Sequence, residues 1–380
     1  MKKGKLLYLV CIIAIVAGLG AASCTPAEQE VAEQEVFELT FAAIHPAECG
    51  MMKVVNGGWA NWLEEESGGR IKLTVFPSEQ AAAAPEHYDA ARTGVVDIAC
   101  HMIGFNPGRW PLSDVAYLPL IFEFPGSRAA ALTCMALYDK YPEIQAEHQE
   151  VKVLGFHANA PQQVHTIDNP VHTLEDMQGL LVDTTGKWGV AAIQALGASP
   201  EGVMPTERYD AMSKGIFNAD MSEWEGQMVW HLNELTHYST ECSLYLMTFI
   251  HVMNLDTWNS LPSDLQELFV GENARTFFAL HGYNFDKDDI AFREMLDAQY
   301  KADGYEGIYV LPDEERARWV EAVQPLWEQW VQEAATVVGE AKARAILEDA
   351  INFAEQYGGY PDEACPDCAD TLHEWGAPGY

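Results

Sequence analysis

The chain has 380 residues, 48% of them hydrophobic, with 57 acidic against 22 basic side chains and a formal charge of −35. That length and apolar content are enough for one large domain or two lobes with a buried core. A balance this acidic excludes a nucleic-acid partner, which needs a basic face, and reads first as solubility and second as a field that draws cations inward.

At the N-terminus Lys2, Lys3 and Lys5 lead into an apolar run over 6–20, followed by Ala21-Ala22-Ser23-Cys24. That order predicts a secretory signal over residues 1–23. Small residues before a cysteine match the lipobox of bacterial lipoproteins, so Cys24 is the expected lipidation site. The apolar run falls short of the roughly 20 residues of a spanning helix. Residues 24–36 are polar and acidic and read as a tether. The expected location is extracytoplasmic, in a periplasm or on an outer cell surface, anchored to a membrane by lipid.

Phe37–Ala42 alternates as a strand, and a loop with His45, Glu48 and Cys49 follows. A helix is expected over Met51–Glu66, ending at Gly68-Gly69, then a strand over Arg70–Phe76. Pro85 opens a further helix to Thr93, and Val95–His101 reads as a strand. This β-α-β-α-β rhythm predicts a mostly parallel sheet, whose ligands sit at the carboxyl ends of strands. By that rule His45, Glu48, His101 and Phe105 are candidate binding residues.

The alternation restarts at Val151–Phe156, with a capped turn at Thr173–Met177, a strand closing at Asp183 and a helix over Trp188–Leu196. Thr206–Lys214 reads as the next helix and Ile216–Asp220 as the next strand. Two such units imply an α/β clamshell: 37–150 mainly one lobe, 151–255 mainly the other, and 256–350 helices bracing both. Residues 261–299 read as helical, and a long helix over Pro312–Ala335 carries an apolar stripe of Trp319, Leu326, Trp327 and Trp330, expected in the core. In the tail, 351–380, Cys365-Pro-Asp-Cys368 reads first as a local disulfide, with a metal pair and free thiols as alternatives. His157, His165 and His172 do not share a helical face and read as polar surface rather than a soft-metal site. No GxSxG, HExxH, P-loop or Rossmann glycine pattern is present, so the expected class is a binding protein rather than an enzyme.

Several segments in order resemble the DctP-type solute-binding proteins of tripartite ATP-independent periplasmic (TRAP) transporters. They are Gly68-Gly69-Arg70-Ile71 with Phe76-Pro77, Gly94-Val95-Val96-Asp97, Leu118-Pro119-Leu120, Val153-Leu154-Gly155-Phe156, Thr173–Gly179, Met204-Pro205 and Val252-Met253-Asn254. The resemblance implies a two-lobed periplasmic binding protein with lobes joined by long shared segments. It also implies a small-molecule solute, usually an organic acid, passed to small and large membrane subunits, or alternatively presented to a sensor.

In that family the strand after the Glu-Asp-x-x-Gly turn carries an arginine that grips the ligand carboxylate. Here the position is Asp183, and a second basic position falls on Gln162. Acids at Asp183, Asp220 and Glu223 with the rings of Trp188 and Trp224 therefore favour an amine or cationic ligand. The alternatives are a neutral polar ligand on Gln162 and Gln163, or an organic acid bridged by calcium. No other cofactor or metal is expected. A purely structural role for Asp183, paired with Lys187 or facing solvent while both tryptophans pack, also stays open.

Overall fold

The computed structural model describes residues 34–377; the signal segment, Cys24 and most of the tether lie outside them. No helix among the described residues is long and apolar enough to cross a membrane.

Alternating apolar and polar residues build β1 (Phe37–Ala42) and β2 (Ile71–Phe76), and a run buried on both faces builds β3 (Ile98–Met102). These three pair in parallel, and β10 (Thr248–Met253) then inserts antiparallel between β3 and β4 (Lys152–Ala158). The first sheet is therefore mixed, where the rhythm of the sequence predicted a mostly parallel one. Its order is β2-β1-β3-β10-β4. The strand at residues 152–158, which the alternation assigns to the second unit, is hydrogen-bonded into the first sheet.

The second sheet contains β5 (Gln163–Thr166), β6 (Leu181–Asp183), β7 (Ser199–Glu201), β8 (Ala219–Ser222), β9 (Tyr238–Glu241) and β11 (Ile308–Val310). Its order is β11-β9-β5-β8-β6-β7. The chain passes between the sheets from β4 to β5 and returns from β9 to β10. Those two passages bond to each other: Gln162 N–H donates to Tyr245 O at 2.6 Å, and Leu244 N–H to Gln162 O at 3.1 Å. Gln163 fixes the junction, its Oε1 accepting from the N–H groups of Cys242 and Ser243 at 2.8 Å each. Side-chain and main-chain bonds thus make a two-segment hinge.

A helix over Gly271–Ala302 ties the lobes together. At 32 residues it is about 48 Å long. Its first half buries Phe277, Phe278 and Phe285 in the main core, and its second half places Leu296 and Tyr300 against Trp224 of the second lobe. The expected helix over Pro312–Ala335 is two, Asp313–Val323 and Pro325–Val338, because Pro325 lacks the N–H that would continue the first. Of its stripe Trp319, Leu326 and Trp330 are in the core and Trp327 is half-buried against it, with Trp330 Nε1 donating to Pro111 O at 2.8 Å. Cys365 and Cys368 form a disulfide.

The bracing helix approaches Ser127–Lys140 closely at Gly282, where an added Cβ would lie 2.4 Å from the Arg128 Cα. Main chain cannot swing away as a side-chain tip can. Gly282→Ala should therefore cost about 1–3 kcal/mol, read as a lower midpoint in urea unfolding.

Candidate functional site

Between the two sheets the strand ends enclose a cavity of about 430 Å³, counting its open mouth. From the first lobe come Ile44 and His45 after β1, and Met102 and Phe105 at and after the end of β3. The hinge supplies Asn159 and Gln162, β10 supplies Phe249, and the second lobe contributes Arg208, Glu223 and Trp230. The result is an apolar, aromatic chamber with a few polar groups, one of them a cation. Clefts at strand carboxyl ends are where α/β proteins hold small molecules.

Arg208 is the residue that the sequence reading missed. Pro205 starts a single turn, and the helix Arg208–Ser213 follows directly, turning the Arg208 side chain inward to 4% exposure. Its Nε lies 2.7 Å from Asp183 Oδ2, with the N–H not aligned to that oxygen, so the contact is an ion pair rather than a hydrogen bond. Neither terminal nitrogen makes a hydrogen bond to the described residues, and Arg208 is one of the residues that line the cavity. Burial alone would lower its pKa; Asp183, Asp220 and Glu223 outweigh that and hold the guanidinium charged.

Asp183, the last residue of β6, pairs in register with Asp220, the second residue of the parallel strand β8, and both are fully buried. Burial raises both carboxyls; Arg208 opposes the rise in each. Asp183 Oδ1 accepts from Val203 N–H at 3.0 Å, and Asp220 Oδ2 from Ser222 Oγ at 2.6 Å and Gln227 Nε2 at 2.9 Å. Two acids this close to one guanidinium titrate as a unit. They sit behind Arg208 and orient it, and they are not on the cavity wall. Glu223 is the acid on that wall, held by Gln162 Nε2 at 2.7 Å and Asn159 Nδ2 at 3.0 Å.

Residues 41–334 match the family described as DctP, bacterial extracellular solute-binding protein, family 7. The chain belongs to that family. Among its relatives are the C4-dicarboxylate-binding periplasmic protein DctP of Rhodobacter capsulatus, 23% identical across 74% of this chain and 83% of that protein. The protein of the same name from Vibrio cholerae is 22% identical across 91% and 99%. A TRAP solute-binding protein from Rhodoferax ferrireducens, solved with copurified benzoate, superposes with a TM-score of 0.77 at 25% identity, covering 84% of this chain and 98% of that one. A TRAP receptor from Bordetella bronchiseptica, solved with bound mandelate, gives 0.75 at 25% identity, covering 85% and 100%. Members of this DctP family are extracytoplasmic solute receptors that work with membrane permease subunits, and this two-lobed α/β receptor has their fold.

Within this DctP-family receptor the expected site residues divide. His45, Phe105, Gln162 and Glu223 line the cavity. Trp188 and Trp224 do not: both are buried in packing, Trp188 under the Lys187 ammonium at 4.5 Å and Trp224 edge-on to His165 at 5.2 Å. Lys187, one alternative partner for Asp183, pairs with Glu333 instead, and Asp183 is buried beside Arg208. Glu48 is exposed and off the cavity wall, and His101 is buried against Trp110 with ring centres 5.5 Å apart. His157 and His165, read as surface, are fully buried, while His172 is on the surface beside Glu306 at 2.8 Å. The acids that suggested calcium, Asp183, Asp220 and Glu223, all act on the Arg208 guanidinium and favour its charged form. The cleft is not without a positive charge, because Arg208 lines it although residue 183 is an acid.

Proposed function

We propose that this receptor captures a small organic monocarboxylate with an apolar or aromatic body and one hydrogen-bond donor, such as a hydroxyl or amine, and passes it to a TRAP permease. The carrying observation is Arg208, which lines the same chamber as Glu223 and whose terminal nitrogens make no hydrogen bond to the described residues. A guanidinium fork takes a carboxylate through two parallel bonds. Phe105, Phe249 and Trp230 suit a ring. Glu223 accepts from the donor end, which keeps a place for the amine that the acids suggested. A second carboxylate would meet Glu223, so dicarboxylates are disfavoured by charge. The receptors solved with benzoate and with mandelate support an aromatic acid. Anchoring through lipid on Cys24 belongs to the same proposal and would keep the captured solute near the membrane.

A thermal-shift series tests this, since a ligand that prefers the closed, folded state raises the melting point by mass action. Mandelate and phenylalanine should raise it most and benzoate, which has no donor for Glu223, less; phenethylamine, betaine and succinate should not. Stabilisation by phenethylamine without any response to the carboxylates would sink the assignment of Arg208 as the ligand's partner.

A further inference from the structure

Beneath the cleft, in the core of the first lobe, one face of the first sheet brings together Cys100, His157 and His251. His251 on β10 lies directly across from Cys100 on β3. His157 on β4 lies across from Phe249, two residues before His251, so it emerges on the same face. One ligating atom from each of the three lies within 4.8 Å of the others. His157 Nδ1 and His251 Nε2 are 2.8 Å apart, and all three side chains are at most 1% exposed.

What surrounds them is apolar. His157 stacks on Phe249 at 4.5 Å, and His251 packs edge-on to Phe278 at 4.9 Å. His281 of the bracing helix covers the group, its ring 4.3 Å from His157, fully buried and with neither nitrogen bonded to protein. The outer nitrogens of His157 and His251 are likewise without protein partners. Phenylalanine would fill such a core without leaving buried polar atoms, so three imidazoles and a thiol here are unexplained by packing.

We propose that Cys100, His157 and His251 form a binding site for a thiophilic metal ion, copper(I) or zinc(II), with His281 placed to add a fourth ligand. Thiolate and imidazole are the donors that such ions select. Binding expels the Cys100 proton to solvent, forming the metal–sulfur bond, while the one proton shared between His157 Nδ1 and His251 Nε2 passes to the outer nitrogen of the ring that carries it, freeing both inner lone pairs. One proton is released per ion. Copper(I) with one thiolate sums to zero charge, which suits a dry site; zinc would leave one positive charge buried. His45, on the cleft wall with its ring 5.8 Å from His157, marks the route of entry.

The test uses the full chain carrying Cys365→Ser and Cys368→Ser, so that the tail thiols cannot bind. Under anaerobic conditions it is titrated with copper(I) and, separately, zinc(II), each against a chromophoric chelator. One equivalent should bind, with affinity reduced roughly 100-fold or more by Cys100→Ala or His251→Gln and unchanged by Cys134→Ala. X-ray absorption on the chain with Cys100 intact should give one sulfur and at least two nitrogen scatterers, an answer that does not depend on the variants folding. Sulfur-only coordination, binding indifferent to Cys100→Ala, or no competition by either ion would overturn the site.

Discussion

Arg208→Met should weaken capture of a monocarboxylate by about 100-fold, the effect of truncating one member of a desolvated charge pair. It should also destabilise the empty protein more at pH 8 than at pH 5. Asp183 and Asp220 are buried, and burial already pushes both carboxyls above their usual range while Arg208 pulls them down. Without the guanidinium they rise further, so the folded state retains protons that the unfolded chain has lost. Stability is then undiminished at low pH and falls as pH climbs through the raised values. The loss at pH 8 should be roughly 3–5 kcal/mol, the range for stranding a buried charge. Asp183→Asn removes the stranded charge and keeps an oxygen for Val203 N–H, so the double variant should regain much of the stability but none of the ligand affinity. Urea unfolding at both pH values and titration calorimetry read the two effects separately. Equal losses at pH 5 and pH 8, with no recovery in the double variant, would mean that the Asp183 contact is not what Arg208 stabilises.

How much of this was legible in the sequence depends on whether the signal was local. Strands β1, β2 and β6 and the capping box at Thr173 and Asp176 follow from alternation and side-chain chemistry within a few residues, and they appear where expected. Pairing across the chain carries no such local mark. Nothing near residue 248 says that β10 will lie between β3 and β4, and so the parallel rhythm misled. The same limit hid Arg208. Its acids come from residues 183, 220 and 223; register in the second sheet joins Asp183 to Asp220, and Glu223 follows the end of β8. One clue was available: a strand ending in Asp183 with a buried-looking profile needs a counter-charge, and Arg208 lies just after the Met204-Pro205 segment that carries the family resemblance. Trp188 and Trp224 erred the other way, because an aromatic beside an acid in sequence points into the same space only if the backbone turns it there. On a helix the neighbouring side chains diverge.

A second acid should show as large an effect on stability, through the contact between the lobes. Glu225 follows β8, and its Oε1 accepts from Gly50 N–H at 2.7 Å, while its own N–H donates to Asp289 Oδ1 at 2.8 Å. Burial raises the Glu225 carboxyl to about 8; Asp288 and Glu223 add to the rise, and the Gly50 bond and Lys53 oppose it. Asp289, buried beside it, is raised in the same direction. A carboxyl that holds its proton more tightly folded than unfolded contributes fully below its unfolded pKa near 4.5 and loses that contribution as pH rises toward 8. The protein should therefore be less stable at pH 8 than at pH 5 by about 1–4 kcal/mol from this group. Glu225→Gln retains the oxygen that Gly50 needs and cannot ionise. It should be close to neutral at pH 5 and stabilising at pH 8, flattening the profile measured by urea unfolding. A variant that loses stability equally at both values would show that Glu225 is held as a carboxylate, with the Gly50 bond and Lys53 outweighing its burial.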